Sequence, residues 1–244
     1  MRTTVKEIKD KAYTRKKQIQ DRSNPFVYYL YRPTSHYLVK FFLLFDCSPT
    51  FVTWLSLVPL LIGIPLIAFS TSVVGRLFGG GMFLIWIVLD CVDGTMARFT
   101  GKTSKYGDLI DGTVGYIALW GFPLAVGMAA YSDRMNSLFD FDEDFAICIF
   151  LGGLQAVFSI FPRLVMHKKY QGTDPKDNSF QNREQYSVIA SLGVFIMDCQ
   201  GLPVWIFFVS VLLHTINIMV YLYSLVYVLF FVVVMYKLLK PEQG

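Results

Sequence analysis

The chain has 244 residues, of which 54% are hydrophobic and only 16% charged, with a formal charge of +4. Soluble domains carry about a quarter charged residues, so the composition excludes an ordinary soluble domain and indicates an integral membrane protein. There is no zinc-finger spacing and no RNP-like aromatic run. The basic excess therefore reads as membrane orientation and contact with anionic lipid, with no nucleic-acid partner.

Residues 2–24 are polar and basic. They are too polar for a signal-peptide core, so insertion is expected to begin from an internal segment. In the next stretch, "PFVYYLYRPTSHYLVKFFLLFDCSP", Arg32, His36 and Lys40 interrupt aromatics and leucines. That pattern predicts a helix lying in the membrane interface. His36 and His167 read as interface residues. Residues 1–46 are thus expected to form a basic cytosolic arm with an amphipathic juxtamembrane helix. Residues 47–240 would form the transmembrane domain.

Ser48-Pro49 is a helix-start signal, a capping residue followed by proline where no backbone donor is needed. The apolar stretch 51–70 that follows is long enough to cross about 30 Å of hydrocarbon. Further spans are expected at 74–96, 107–131 and 144–165. Residues 185–197 form a short apolar run, and "DCQGLP" reads as a turn. Residues 204–239 are either one long tilted helix or two helices broken near His214. The reading is all-α, with six transmembrane helices. The loops support it: 1–46, 97–106, 163–184 and the C-terminal tail are basic, whereas 132–143 is acidic. By the positive-inside rule both termini would be cytoplasmic. The four cysteines are scattered, form no CxxC pair and read as small buried hydrophobes. His214 reads as a hydrogen-bonded helix contact.

An ionised aspartate at the centre of a membrane helix costs about 2.5–3.5 kcal/mol on insertion scales. Even so, Asp90, Asp93, Asp108 and Asp111 cluster around one short loop. Each pair is spaced i, i+3 and so shares a helix face, and the 97–106 hairpin lets the two acidic ends converge. Hard oxygen ligands at a membrane edge suit Mg²⁺ or Mn²⁺, and such ions commonly hold substrate phosphates. Gly94 and Ala97 allow close approach to the backbone. Arg98 offers a fork for phosphate, Thr103 and Ser104 add hydroxyls, and Gly107 opens the third span, where free N–H groups favour an anion. Arg163 and Lys168, with Lys169, read either as an acceptor-phosphate pocket or as topology-setting charge.

The string Asp90-x2-Asp93-Gly94-x2-Ala97-Arg98-x8-Gly107-x3-Asp111 resembles the signature of the CDP-alcohol phosphotransferase family, D-x2-D-G-x2-A-R-x8-G-x3-D-x3-D. Every fixed position matches except the last, which is Gly115. "SPTFVTWLSL" (48–57) resembles the family's first-span entrance, commonly S-P-N-x-x-T, with Thr50 where Asn is usual. The likeness extends over about residues 32–235, with motif-level specificity in 48–57 and 90–111.

The resemblance implies transfer of a substituted phosphate from a CDP-linked donor to an alcohol, with release of CMP. It also implies a homodimer with a two-metal site open to the cytosol. Asp90, Asp93 and Asp111 would be metal ligands, and Thr53, Asp93, Gly94, Ala97, Arg98 and Gly107 would line the nucleotide site. The fourth signature carboxylate is the expected general base and a ligand of the second metal, neither of which Gly115 can be. Three readings follow: a base removed by design, a base supplied elsewhere with Asp108 the nearest candidate, or a non-catalytic binder of CDP-linked ligands. An intramembrane prenyltransferase also uses Asp-rich diphosphate sites, but the Gly-x2-Ala-Arg element argues against it. A transporter would be expected to place ionisable groups at the midplane.

Overall fold

A computed structural model describes residues 3–138, 146–169 and 188–240, and every regular element among them is helical. Two short helices, α1 (Val5–Ala12) and α2 (Arg15–Arg22), open the chain. A π-helical turn at Val27–Tyr31 leads into α3 (Arg32–Leu44). The bundle comprises α4 (Pro49–Phe69), α5 (Val73–Thr100), α6 (Lys105–Ser132), α7 (Ala146–Lys169), α8 (Val188–Met197), α9 (Leu202–Leu212) and α10 (Ile216–Leu239). Among the described residues, five helices (α4, α5, α6, α7 and α10) are long and apolar enough to cross a membrane. α8 and α9 are each too short to cross alone. Lys176, Arg183 and the acidic end of the 132–143 loop lie outside the described residues.

Serine caps set where the helices near the signature begin. Ser48 accepts a hydrogen bond from Phe51 N at 3.1 Å with Pro49 in the first turn, as the sequence predicts. Ser72 and Ser104 cap α5 and α6 in the same way, accepting from Gly75 N and Gly107 N at 3.0 and 2.9 Å. Such caps contribute about 1 kcal/mol each. The third span therefore starts at Lys105, ahead of the expected 107, and α5 runs on to Thr100. The break considered near His214 is present. That residue adopts φ 53° between α9 and α10.

Packing follows residue size. A Cβ added to Gly127 would lie 2.4 Å from the carbonyl oxygen of Cys148, and one added to Gly152 would lie 2.6 Å from that of Pro123. The backbones of α6 and α7 thus touch directly, an approach open only to glycine. Phe83, Trp86, Phe122 and Phe207 fill the centre between α5, α6 and α9. Gln155 of α7 donates to Val220 O at 3.0 Å and Ser224 Oγ at 2.8 Å, which ties α7 to α10 inside the bundle. A second cluster (Ile8, Val39, Phe42, Val52, Leu89, Val92, Met96) joins α1 and α3 to α4 and α5.

Two of the residues expected at the interface are turned inward. Arg32 and His36 are each only 4% exposed, because they face α5 and the N-terminal helices. Tyr29, Tyr37, Phe41, Leu44 and Phe45 make the outward apolar face of this segment. His167, by contrast, is exposed. Cys91, Cys148 and Cys199 are buried and Cys47 half-buried, as expected of small hydrophobes.

At the bundle end away from the signature, Arg76 Nη1 donates to Asp133 Oδ1 at 2.6 Å, with both side chains almost wholly buried. The other Asp133 oxygen meets His214 Nδ1 at 3.3 Å, so His214 makes the helix contact expected of it. Removing one partner of a buried ion pair strands the other charge, which costs about 3–5 kcal/mol. Asp133→Ala is therefore expected to lower the thermal midpoint in detergent markedly. Pairing it with Arg76→Leu should recover most of the loss.

Candidate active site

The inner halves of α5 and α6 meet the first turn of α4 at the signature. Asp93 is buried, with one carboxylate oxygen accepting from Gly94 N and the other buried without any hydrogen-bond partner. The carboxylate interacts with Thr53 and is repelled by Asp90 and Asp111. Thr53 is itself buried, donating to Pro49 O at 3.2 Å. Asp90 is half-buried and accepts from Gln200 Nε2 at 2.9 Å, whereas Asp111 is exposed. Among the described residues, no three His, Cys, Asp or Glu side chains converge closely enough to form a metal cluster as they stand.

Asp90 and Asp111 border a cavity of about 570 Å³. Gly115, Arg163, His167 and the 198–200 turn share its wall, together with apolar groups such as Trp86, Phe158 and Phe230. This is the size of a small-molecule site. Arg163 thus reaches the cavity, whereas Lys168 is exposed and absent from its lining. Lys169 donates to Leu238 O at 2.9 Å, a link between the ends of α7 and α10. Asp108 is exposed and does not line the cavity.

Two nucleotide-site expectations change. The Gly107 N–H is not free for an anion, because Ser104 Oγ accepts from it. Arg98 is partly engaged: Nε donates to Ala12 O at 3.1 Å, and Nη2 reaches Thr95 Oγ1 at 3.4 Å. A side chain at Gly94 would sit 3.3 Å from Arg98 Nη1, so glycine there leaves that edge of the guanidinium uncovered. Ala97 is half-buried on the same helix.

The sequence marks 198–201 only as a turn and residues 1–24 only as a basic arm, yet both reach the site. Arg32 donates through Nε to Asp21 Oδ2 at 2.7 Å and through Nη1 to Cys91 O and Thr95 Oγ1, each at 3.0 Å. Lys17 adds a second cation to Asp21 at 3.1 Å. Burial alone would raise the Asp21 carboxyl, but Arg32 and Lys17 hold it below the usual carboxylate range. The arm is thereby clipped onto α5 one residue from Asp90. A smaller polar chamber of about 210 Å³ lies beneath it, lined by Lys17, Gln20, Asn24, Arg32, Asp90, Asp198 and Gln200 among others.

Fold and site together define an all-helical membrane protein with an acidic cavity at one end of its bundle. The chain belongs to the CDP-alcohol phosphatidyltransferase family, whose sequence model matches residues 49–216. The match begins at the first turn of α4 and ends at the first residue of α10. That family transfers a phosphoalcohol from a CDP-alcohol to an acceptor. No curated protein and no solved structure matches at a significant level.

His36 gives the arm a pH dependence. Burial, reinforced by Arg32, Lys9 and Arg98, pushes its imidazole from 6.5 down to about 4. The folded state thus favours neutral His36, and the undocked chain binds the extra proton. The contribution of His36 to docking is complete above pH 6.5 and falls as pH drops towards 4. Hydrogen-exchange protection factors over residues 5–22, corrected for the intrinsic pH dependence of exchange, should fall across that window, and His36→Gln should flatten the response.

Proposed function

We propose that the chain moves a substituted phosphate from a CDP-linked donor, CDP-diacylglycerol or a CDP-alcohol, to an alcohol acceptor and releases CMP. The observation that carries this reading is the 570 Å³ cavity, where Asp90 and Asp111 of the signature face the same space as Arg163. The donor pyrophosphate would sit at the signature end. The acceptor would lie towards Arg163, whose guanidinium suits a phosphorylated alcohol. The apolar wall formed by Trp86, Phe158 and Phe230 suits a lipid portion. The activity falls within the class of phosphotransferases for substituted phosphate groups and would serve phospholipid or related biosynthesis.

The donor set fits a divalent cation. Asp93 presents a buried, unpartnered carboxylate oxygen while two neighbouring carboxylates repel it. An arrangement of that kind is stabilised by a cation. Asp90, Asp93 and Asp111 would hold Mg²⁺ or Mn²⁺, with Gly115 weakening a second site. When bound, the metal would neutralise the pyrophosphate and the departing CMP. Thr53, Gly94, Ala97, Arg98 and Gly107 would line the nucleotide pocket. Positioning and charge neutralisation supply most of the catalysis in such transfers.

The α8–α9 pair would act as a sixth, broken crossing, completing a bundle with both termini and the cavity on the cytosolic side. Association into a homodimer is part of the same reading. Gly115 favours one further reading, a chain that binds CDP-linked ligands without turnover.

Binding of CDP-diacylglycerol and CDP-choline to the purified chain provides the test. Binding to at least one donor is expected to need Mg²⁺ or Mn²⁺, to vanish with chelator and to drop at least tenfold in Asp90→Asn. Retained binding under chelation would remove the metal role, and no binding to either donor would remove the transferase reading.

A further inference from the structure

Gly115 leaves the cavity without the carboxylate that the family signature places there. Among the described residues lining that cavity, Asp198 supplies a carboxylate in addition to Asp90 and Asp111. It stands in the turn between α8 and α9, on an element unrelated to the signature. The turn is built to hold it. Asp198 Oδ1 accepts from Gln200 N at 3.1 Å, and Asp198 O accepts from Gly201 N at 2.7 Å. A Cβ at Gly201 would lie 2.2 Å from Phe195 O, so the tightness of this turn depends on glycine. Gln200 then ties the turn to Asp90. Asp198 is thus fixed beside the signature while half-buried at the cavity wall. It is near enough to Asp90 for the two charges to interact.

We propose that Asp198 accepts the proton of the acceptor hydroxyl, the role that position 115 holds in the family signature; this rests on the transferase reading above. The acceptor oxygen forms a bond to the phosphorus that bears the donor's alcohol group. The bond from that phosphorus to the bridging oxygen breaks, and CMP leaves with the electron pair. The hydroxyl proton passes to an Asp198 carboxylate oxygen. Asp198 also borders the 210 Å³ polar chamber under the arm, which has room for several waters at about 30 Å³ each. The chamber thus offers the proton a polar way out that does not cross the apolar wall. Asp108, the nearest alternative in sequence, is exposed and off the cavity wall.

Gly115 itself provides the control. A Cβ added there meets nothing within 4 Å, so a carboxylate can be restored without disturbing the packing. Four chains are compared in phosphatidylcholine vesicles with Mn²⁺: unsubstituted, Asp198→Asn, Gly115→Asp, and both together. CMP release is followed from CDP-diacylglycerol with glycerol 3-phosphate, inositol phosphate or serine, and from CDP-choline with diacylglycerol. Donor binding is measured alongside. Asn keeps an oxygen to accept from Gln200 N, so the turn should survive.

The expected result is a 10²- to 10⁴-fold fall in CMP release for Asp198→Asn, the range of a lost general base. Donor binding should stay within threefold, and adding Gly115→Asp should recover at least tenfold. A purely structural role would not be rescued from position 115. CMP release from Asp198→Asn within threefold of the unsubstituted chain overturns the proposal. So does an unsubstituted chain that binds a donor but releases no CMP from any pair, and that result leaves the binding site standing. Binding of neither donor overturns the transferase reading as well. If Asp198→Asn loses donor binding along with turnover, Asp198→Ser carries the same test, since its hydroxyl can also accept from Gln200 N.

Discussion

Carboxylates gathered at the adjoining ends of two membrane helices repel one another and lose hydration, and this end of the bundle is arranged around that cost. Asp93 leans on Gly94 N, and Asp90 on Gln200. Each neighbour relieves part of the strain, but none carries a positive charge. Of the cations nearby, Arg32 is held by Asp21 and Arg98 is partly held by Ala12 O and Thr95, while Arg163 faces the acidic end from the α7 wall of the cavity. This end of the bundle therefore keeps its negative character, instead of collapsing into internal ion pairs. The glycine contact at Gly127 and Gly152 serves the same end, because it sets how closely α6, which carries Asp111, lies against α7, which carries Arg163.

Features with a local cause were legible in the sequence. Ser48, Ser72 and Ser104 cap helices because a hydroxyl satisfies a backbone donor three residues on, and Ser48-Pro49 announces the first of them in the sequence. The i, i+3 spacing of the aspartates, the break near His214 and the scattered cysteines were equally local. What stayed hidden depended on distant partners. Arg32 looks like a charge on an interfacial face until Asp21, Cys91 and Thr95 are seen around it. The turn at 198–201 looks like punctuation, although a single charge and an amide in so apolar a stretch were a signal that it faces something polar. Gly107 reads as an opening helix residue among free N–H groups, yet Ser104 three residues earlier already caps its N–H.

The cavity also shows how a signature and a site differ. The signature lies on α5 and α6, yet α7, the 198–200 turn and α10 complete the wall. Tyr227, Phe230 and Val234 of α10 line the cavity although they lie beyond the matched region 49–216. Chemistry common to the family can thus sit on one pair of helices while the shape that selects an acceptor is set by others. A change at position 115 alters one lining group of a wall built from five segments.

The clip between Arg32 and α5 has a consequence for how the chain is made. Its acceptors, Cys91 O and Thr95 Oγ1, lie 59 and 63 residues downstream of Arg32. During synthesis the ion pair with Asp21, 11 residues upstream, is within reach as soon as Arg32 emerges. Only once α5 has been made can the same guanidinium reach Cys91 O and Thr95 Oγ1, so the arm is joined to the acidic end of α5 last.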